Sequence, residues 1–370
     1  MADTLKFGKR KPSKLSRSNK DVQETKDNNN PIVHSNENKI EKLSIDSDSL
    51  FLGRIICEGY NSIVHEALYQ NVPVAVKIIQ RRVTPATSSD SKGNFHREVR
   101  MLTRVKHDNL VKFIGASVEP DMLIVTELMK GGSLQKYLYD MRPCCPNLQT
   151  SISFALDIAQ VMECLHANGI IHRDLKPSNL LLTEDHKKIK LADFGLAREE
   201  TVKDMMTTEV GTYQWMAPEL YSIDPLHRGE KKHYDHKVDV FSFSIVLWEL
   251  LTNSTPFKGM SGIQAAYAVV NNRRPSLDDL PPDLVPLLES CWAEDPASRP
   301  EFKEIIVTLS NLLESLQVTQ NTSTHQQIFE LGTESPGTRR LMDKSGDLEG
   351  RKSRSSSPKF LRCFDKCFSN

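Results

Sequence analysis

Three clusters of residues could do chemistry together: His172-Arg173-Asp174-Leu175-Lys176-Pro177-Ser178-Asn179, Asp193-Phe194-Gly195, and Val74-Ala75-Val76-Lys77. Apolar Leu180-Leu181-Leu182 and Ile189-Lys190-Leu191 separate the first two, and together they predict one hairpin-like unit. Such a unit presents Asp174, Lys176, Asn179 and Asp193 on one side of a single site. Asn179 and Asp193 offer oxygen ligands to a hard divalent cation. Asp174 can accept or orient the proton of an attacking hydroxyl. Lys176 beside a transferred phosphoryl group adds positive charge to the transition state. This is the equipment of phosphoryl transfer, which asks for in-line positioning and charge neutralisation more than for covalent chemistry.

Those residues need elements to carry them. Strands are predicted at Phe51–Ile56, Ile63–Leu68 and Val72–Ile79; alternation puts Ala75 and Lys77 on one face, a small residue leaving room for a flat ligand and a cation beside it. A polar loop from about Arg81 to Gly93 precedes a helix over Phe95–Val105, whose Phe95, Val99 and Leu102 repeat at helical spacing. Glu98 lies about 40° around that helix from Leu102 and borders the buried stripe, from which it can point at the sheet. Strands at Leu110–Phe113 and Leu123–Thr126 complete a small sheet, and Gly131-Gly132 breaks the pattern. A helix over 151–168, closed by Gly169, delivers the chain to His172. The segment Val238–Leu251 is apolar on nearly every face, as a central helix should be. Strands with one helix, followed mostly by helices, imply an α+β chain of two lobes with a cleft between them.

The chain has 370 residues with 48 basic and 48 acidic side chains, so net charge gives no pull towards nucleic acid. Seven cysteines without a C-x-x-C pair, and no apolar leader, favour reduced thiols and a cytoplasmic protein. The longest apolar stretch, Val238–Leu251, is too short and polar to span a bilayer. Residues 1–48 are polar and predicted disordered; their run Lys6, Lys9, Arg10, Lys11, Lys14, Arg17, Lys20 is a solvated tail or a nuclear address. Residues 49–316 form the folded domain. Residues 317–370 turn polar again and end in six Lys or Arg from Arg351 onward, with Phe360, Leu361, Phe364, Phe368, Cys363 and Cys367. Basic charge with greasy side chains suits peripheral contact with anionic lipid, the other reading being a plain cytosolic tail, since stable anchoring takes two signals.

From about 52 to 315 the chain resembles a eukaryotic protein kinase domain. Gly211-Thr212-Tyr213-Gln214-Trp215-Met216-Ala217-Pro218-Glu219, Asp239-Val240-Phe241-Ser242-Phe243 and Ala192-Asp193-Phe194-Gly195-Leu196-Ala197-Arg198 are similar to the tyrosine-kinase-like group, in particular the plant Raf-like kinases. The resemblance implies a two-lobed fold, with a small mainly antiparallel sheet lobe holding one key helix and a larger helical lobe. It implies ATP as donor, Mg²⁺ (or Mn²⁺) on Asn179 and Asp193, Lys77 on the phosphates and Glu98 fixing Lys77. Gly59, Val64 and Ala75 are implied as nucleotide contacts, with Thr126 as gatekeeper and Glu127 and Met129 as the hinge whose backbone meets adenine. Glu219 pairing with Arg299, and Asp239 anchoring the catalytic loop, are implied structural roles. Lys176 with Thr212 is the pattern of serine/threonine transfer to protein substrates, with tyrosine left open. Arg173 is implied to meet a phosphate on the activation segment, where Thr201, Thr207 and Thr208 are acceptors; autophosphorylation or an upstream kinase at Thr207 or Thr208 would raise activity.

The sequence departs from the pattern at the phosphate loop. Cys57-Glu58-Gly59-Tyr60-Asn61-Ser62-Ile63-Val64 keeps only the middle of three glycines, which predicts a looser cover and weaker ATP binding. Cys57 is read as an inert small residue, since no adjacent cation is evident to lower its pKa. His227, His233 and His236 lack the ordered spacing and cysteines of a zinc site and read as part of a basic surface loop. The alternative to an active enzyme is a pseudokinase scaffold with weak nucleotide binding. Retention of Lys77, Glu98, Asp174, Lys176, Asn179 and Asp193 argues against it.

Overall fold

The computed structural model describes residues 44–59, 62–80, 85–199, 213–221 and 234–331. β-branched residues recur along Ser62–Tyr69 (β2), Val72–Ile79 (β3) and Leu123–Glu127 (β5), and these pair with Leu50–Glu58 (β1) and Phe113–Ser117 (β4) in an antiparallel sheet of order β1-β2-β3-β5-β4. Val74 and Val76 are fully buried on one face with Ala67, Leu123 and Val125, and Ile45 closes over them. Folded structure therefore begins at least four residues before the expected boundary at 49. Ala75 and Lys77 take the opposite face, with Ala75 level with Thr126 and Lys77 level with Ile124.

The fourth strand lies at Phe113–Ser117, not at Leu110–Phe113. Leu110 and Val111 are apolar enough for a strand, but they are used elsewhere: the Val111 N–H donates to the Leu191 carbonyl (2.9 Å) in the lower lobe. The poorer strand formers Gly115, Ala116 and Ser117 pair instead, because β5 presents an unpaired edge to them. The helix expected over Phe95–Val105 runs Pro85–Arg104 (α1), so most of the predicted loop is helical. Proline is tolerated at a first helical position, where its missing N–H would be unpaired anyway. Phe95, Val99 and Leu102 are buried as the periodicity required.

The lower lobe contains Leu134–Met141 (α2), Leu148–Ala167 (α3), Lys237–Thr252 (α4), Gly262–Val270 (α5), Val285–Cys291 (α6) and Phe302–Leu331 (α7). Asn147 caps α3 by accepting from the Thr150 N–H (2.8 Å). Ala155, Ile158, Ala159, Met162 and Leu165 form the buried stripe of α3, which packs on α4, buried from Lys237 to Leu251. Gly131 is required where the upper lobe meets the lower: a Cβ there would lie 2.2 Å from the Thr183 carbonyl oxygen. The last helix continues past 316 to Leu331, because adding residues to an established helix costs little once its first turns are packed. Among the described residues no helix is long and apolar enough to cross a membrane. The tails, including the basic run of Lys6–Lys20 and the Phe360–Phe368 ending, lie outside the described residues.

Two small sheets hold the loops that matter. Leu180–Leu182 (β7) and Ile189–Leu191 (β8) form the expected hairpin, with Leu180 opposite Leu191 and Leu182 opposite Ile189. Ile170–Ile171 (β6) pairs with Arg198–Glu199 (β9), so the chain enters His172 and leaves Gly195 side by side.

Candidate active site

The sheet, α1 and the β8 exit converge on one lysine. Lys77 Nζ lies 2.7 Å from Glu98 Oε1 and 2.8 Å from Asp193 Oδ1. Burial works against the ammonium charge, but the two carboxylates more than offset it and hold Lys77 protonated, above the ordinary lysine range. Asp193 feels the same burial, yet Lys77 keeps its carboxyl well below the usual carboxylate range. Glu98 is pushed up by burial, which Lys77 only partly cancels. Asp193 Oδ1 also accepts the Gly195 N–H (3.0 Å), and a Cβ on Gly195 would stand 3.1 Å from that oxygen. Any side chain at 195 therefore presses on the ion cluster. Phe194 is buried with its ring edge-on to His172 at 5.4 Å, which turns Asp193 towards the cleft.

The second half of the site is the loop after β6. Lys176 Nζ sits 2.8 Å from Asp174 Oδ2, and Asn179 Nδ2 donates to that same oxygen (2.9 Å) and to the Asp174 carbonyl (2.8 Å). Among the described residues, buried Asp174 Oδ1 has no hydrogen-bond partner. Burial raises the pKa of Asp174, with Lys176 opposing it. A carboxylate held by one oxygen and left open at the other is suited to take a proton from a hydroxyl. The loop is fixed from below by Asp239 of α4, whose carboxylate accepts the His172 N–H and the Arg173 N–H (2.8 Å each) and contacts His166 Nε2 at 2.9 Å. These bonds hold Arg173 at φ +68°, a left-handed backbone that a non-glycine residue resists.

Among the described residues Asn179 Oδ1 and Asp193 Oδ2 have no protein bond, since Nδ2 and Oδ1 carry the contacts. Two hard oxygens from two residues fit a divalent ion that takes its other ligands from phosphate and water. Above them, Gly59 closes the β1–β2 turn by donating its N–H to the Ser62 carbonyl (2.8 Å), and Val64 lies level with Lys77 across β2 and β3. Tyr60 and Asn61 of that loop lie outside the described residues. At the far end of the cleft, Thr126 stands opposite Ala75, and the Met129 carbonyl accepts the Gly132 N–H (3.3 Å).

The profile of the family described as protein tyrosine and serine/threonine kinase matches residues 50–309. The chain belongs to that family. Among Arabidopsis thaliana proteins it is 40% identical over 273 residues to serine/threonine/tyrosine-protein kinase HT1, covering 73% of this chain and 68% of that one. It is 41% identical over 263 residues to serine/threonine-protein kinase STY17 and 42% over 266 residues to STY46, in each case spanning 44% of the relative's length and 70% and 71% of this chain. As a kinase domain it has the two-lobed fold, a five-stranded antiparallel sheet above a helical lobe, and it uses ATP with a divalent metal.

In the kinase's lower lobe Arg299 forks onto Glu219, Nη2 to Oε2 at 2.9 Å, the pairing expected from the sequence. Several contacts were not foreseen. Glu127 was expected to act through its backbone, but its side chain also meets Lys190 Nζ at 2.7 Å and accepts the Lys112 N–H at 2.7 Å, tying the linker to β8. Asp157 of α3 accepts the Ile189 N–H (2.9 Å) and holds the hairpin from behind. Tyr234 lies under Arg173, its hydroxyl accepting from Nη1. His236 bonds Glu301 (3.0 Å) and rests against His166; His227 and His233 are outside the described residues, as are Thr201, Thr207, Thr208 and Thr212. Nothing in local spacing marks these contacts, whose partners lie 15 or more residues apart.

Proposed function

We propose that this kinase transfers the γ-phosphoryl group of ATP to serine or threonine hydroxyls of protein substrates, with tyrosine as a second acceptor. The observation that carries the reading is Asp174: Oδ2 is held by Lys176 and Asn179, while buried Oδ1 has no partner among the described residues. The acceptor hydroxyl oxygen forms the new bond to phosphorus as the bond to the ADP oxygen breaks, and the hydroxyl proton goes to Oδ1. Lys176 supplies charge as the phosphoryl group moves between them. Lys77 holds the α- and β-phosphates, and Asn179 and Asp193 would hold Mg²⁺, which neutralises phosphate charge. Lys176, and Thr212 in the sequence, favour serine and threonine, as the names of STY17 and STY46 do, while that of HT1 adds tyrosine. Purified full-length protein with labelled ATP, Mg²⁺ and a generic acceptor should incorporate label on serine and threonine. Incorporation no greater than in Asp174→Asn and Asp193→Asn would replace this reading with the scaffold.

Regulation by phosphate rests on Arg173, 2% exposed, whose buried Nε and Nη2 have no partner among the described residues. Phosphate on Thr207 or Thr208, placed by the kinase itself or by another, would satisfy them with charge-assisted bonds. Full activity in the double alanine variant, with no phosphate found there in the active wild type, would end this idea. Cytoplasmic placement with peripheral lipid contact through Cys363, Cys367 and their basic neighbours is tested by membrane recovery. A wholly soluble wild type would refute the lipid contact.

A further inference from the structure

Arg104, the last residue of α1, reaches out of the upper lobe and touches the lower lobe twice. Its Nη1 lies 3.2 Å from Glu199 Oε1, and its Nη2 donates to the Asn168 carbonyl (2.8 Å). These two acceptors stand at the same end of the small β6–β9 sheet: Asn168 precedes β6, and Glu199 is paired with Ile170. β6 leads directly into His172-Arg173-Asp174, and β9 begins three residues after Gly195. One guanidinium therefore registers the helix that carries Glu98 against both loops that carry Asp174 and Asp193. Only arginine offers two N–H groups in a rigid fork able to hold a carboxylate and a carbonyl at once.

We infer that Arg104 and Glu199 form a positioning clamp: the carboxylate at the start of the activation segment holds α1 in the orientation that keeps Glu98 on Lys77. The clamp uses a carboxylate encoded in the chain, so this contact needs no added phosphate. It acts on the phosphoryl transfer proposed above and touches no substrate. Both side chains are partly exposed, 44% and 34%, so the contact is modest and sensitive to salt.

The test uses full-length Arg104→Gln, Glu199→Gln, the double variant and Arg104→Lys. Each glutamine variant should lose about two- to fivefold in kcat with the KM for the acceptor unchanged, a size consistent with a partly exposed ion pair. The double variant should lose no more than the worse single one, because the same contact is removed once. Arg104→Lys should recover part of the loss by keeping charge towards Glu199. Losses that multiply, or wild-type kcat in Glu199→Gln, would overturn the clamp. Amide exchange across residues 95–104 gives a readout independent of activity: it should speed up in Glu199→Gln while the melting temperature stays within a degree or two. Unchanged exchange would refute the clamp even in an active enzyme. Faster exchange in a protein without transferase activity would leave the clamp standing and remove the proposed reaction.

Discussion

Replacing Asp239 by asparagine isolates what holds the catalytic loop. The carboxylate accepts two backbone N–H groups at 2.8 Å and contacts His166 at 2.9 Å, all in the interior. Burial alone would raise its pKa, but the His166 contact and the Arg173 N–H more than offset this and keep it ionised. An asparagine keeps one acceptor oxygen and must turn an NH₂ towards another donor. Hydrogen bonds to charged groups contribute about 1.5–3 kcal/mol each, and a buried N–H left unpaired adds its own desolvation cost. The loss of one such bond and weakening of the others amounts to about 3 kcal/mol. Arg173 at φ +68° would relax first, because that conformation persists only while its surroundings impose it. If most of the loss falls on the loop, the fraction of molecules with Asp174 in place drops about a hundredfold, and kcat with it, at about 1.4 kcal/mol per factor of ten. The measurements are steady-state kinetics beside amide exchange at His172 and Arg173. A kcat within threefold of wild type with unchanged exchange at both amides would refute the anchoring argument.

Glu249 accepts a hydrogen bond from Trp215 Nε1 (3.2 Å) in the interior, and burial pushes its carboxyl up to about 7 from 4.5. The folded state thus holds the proton that the unfolded state has lost, so this contribution is complete below about pH 4.5 and is lost as pH rises towards 7. Glu249→Gln should melt with the wild type near pH 5 and exceed it at pH 8 by about 3 kcal/mol; an equal difference at both pH values would count against it. Gly195→Ala puts a methyl 3.1 Å from Asp193 Oδ1 and should lower kcat/KM for ATP about tenfold with a near-normal melt. Gly131→Ala, aimed at the Thr183 carbonyl, should instead cost about 3 kcal/mol of stability, read by urea unfolding. Cys57→Gly with Ser62→Gly should tighten ATP binding in calorimetry, since two more glycines bring backbone amides closer to phosphate; an unchanged affinity would show that the cover is not the limiting feature.

Much of the site was legible because short-range covalent geometry governs it. Strand alternation puts Ala75 and Lys77 on one face, helical spacing puts Glu98 beside the buried stripe, and the lengths around Leu180–Leu191 permit only a tight hairpin. Each depends on residues a few positions apart, whose relative directions the backbone nearly determines. Local sequence thus named candidate groups for the chemistry and most of the elements that carry them, though not the fourth strand. Tertiary structure decided what sits against what. Leu110 and Val111 look like a strand but join β8, Glu127 spends its side chain on Lys190, Tyr234 shelters Arg173, and Arg104 finds Glu199 across 95 positions. Such contacts depend on how two lobes pack, and packing selects among many surfaces of similar composition that no local period distinguishes.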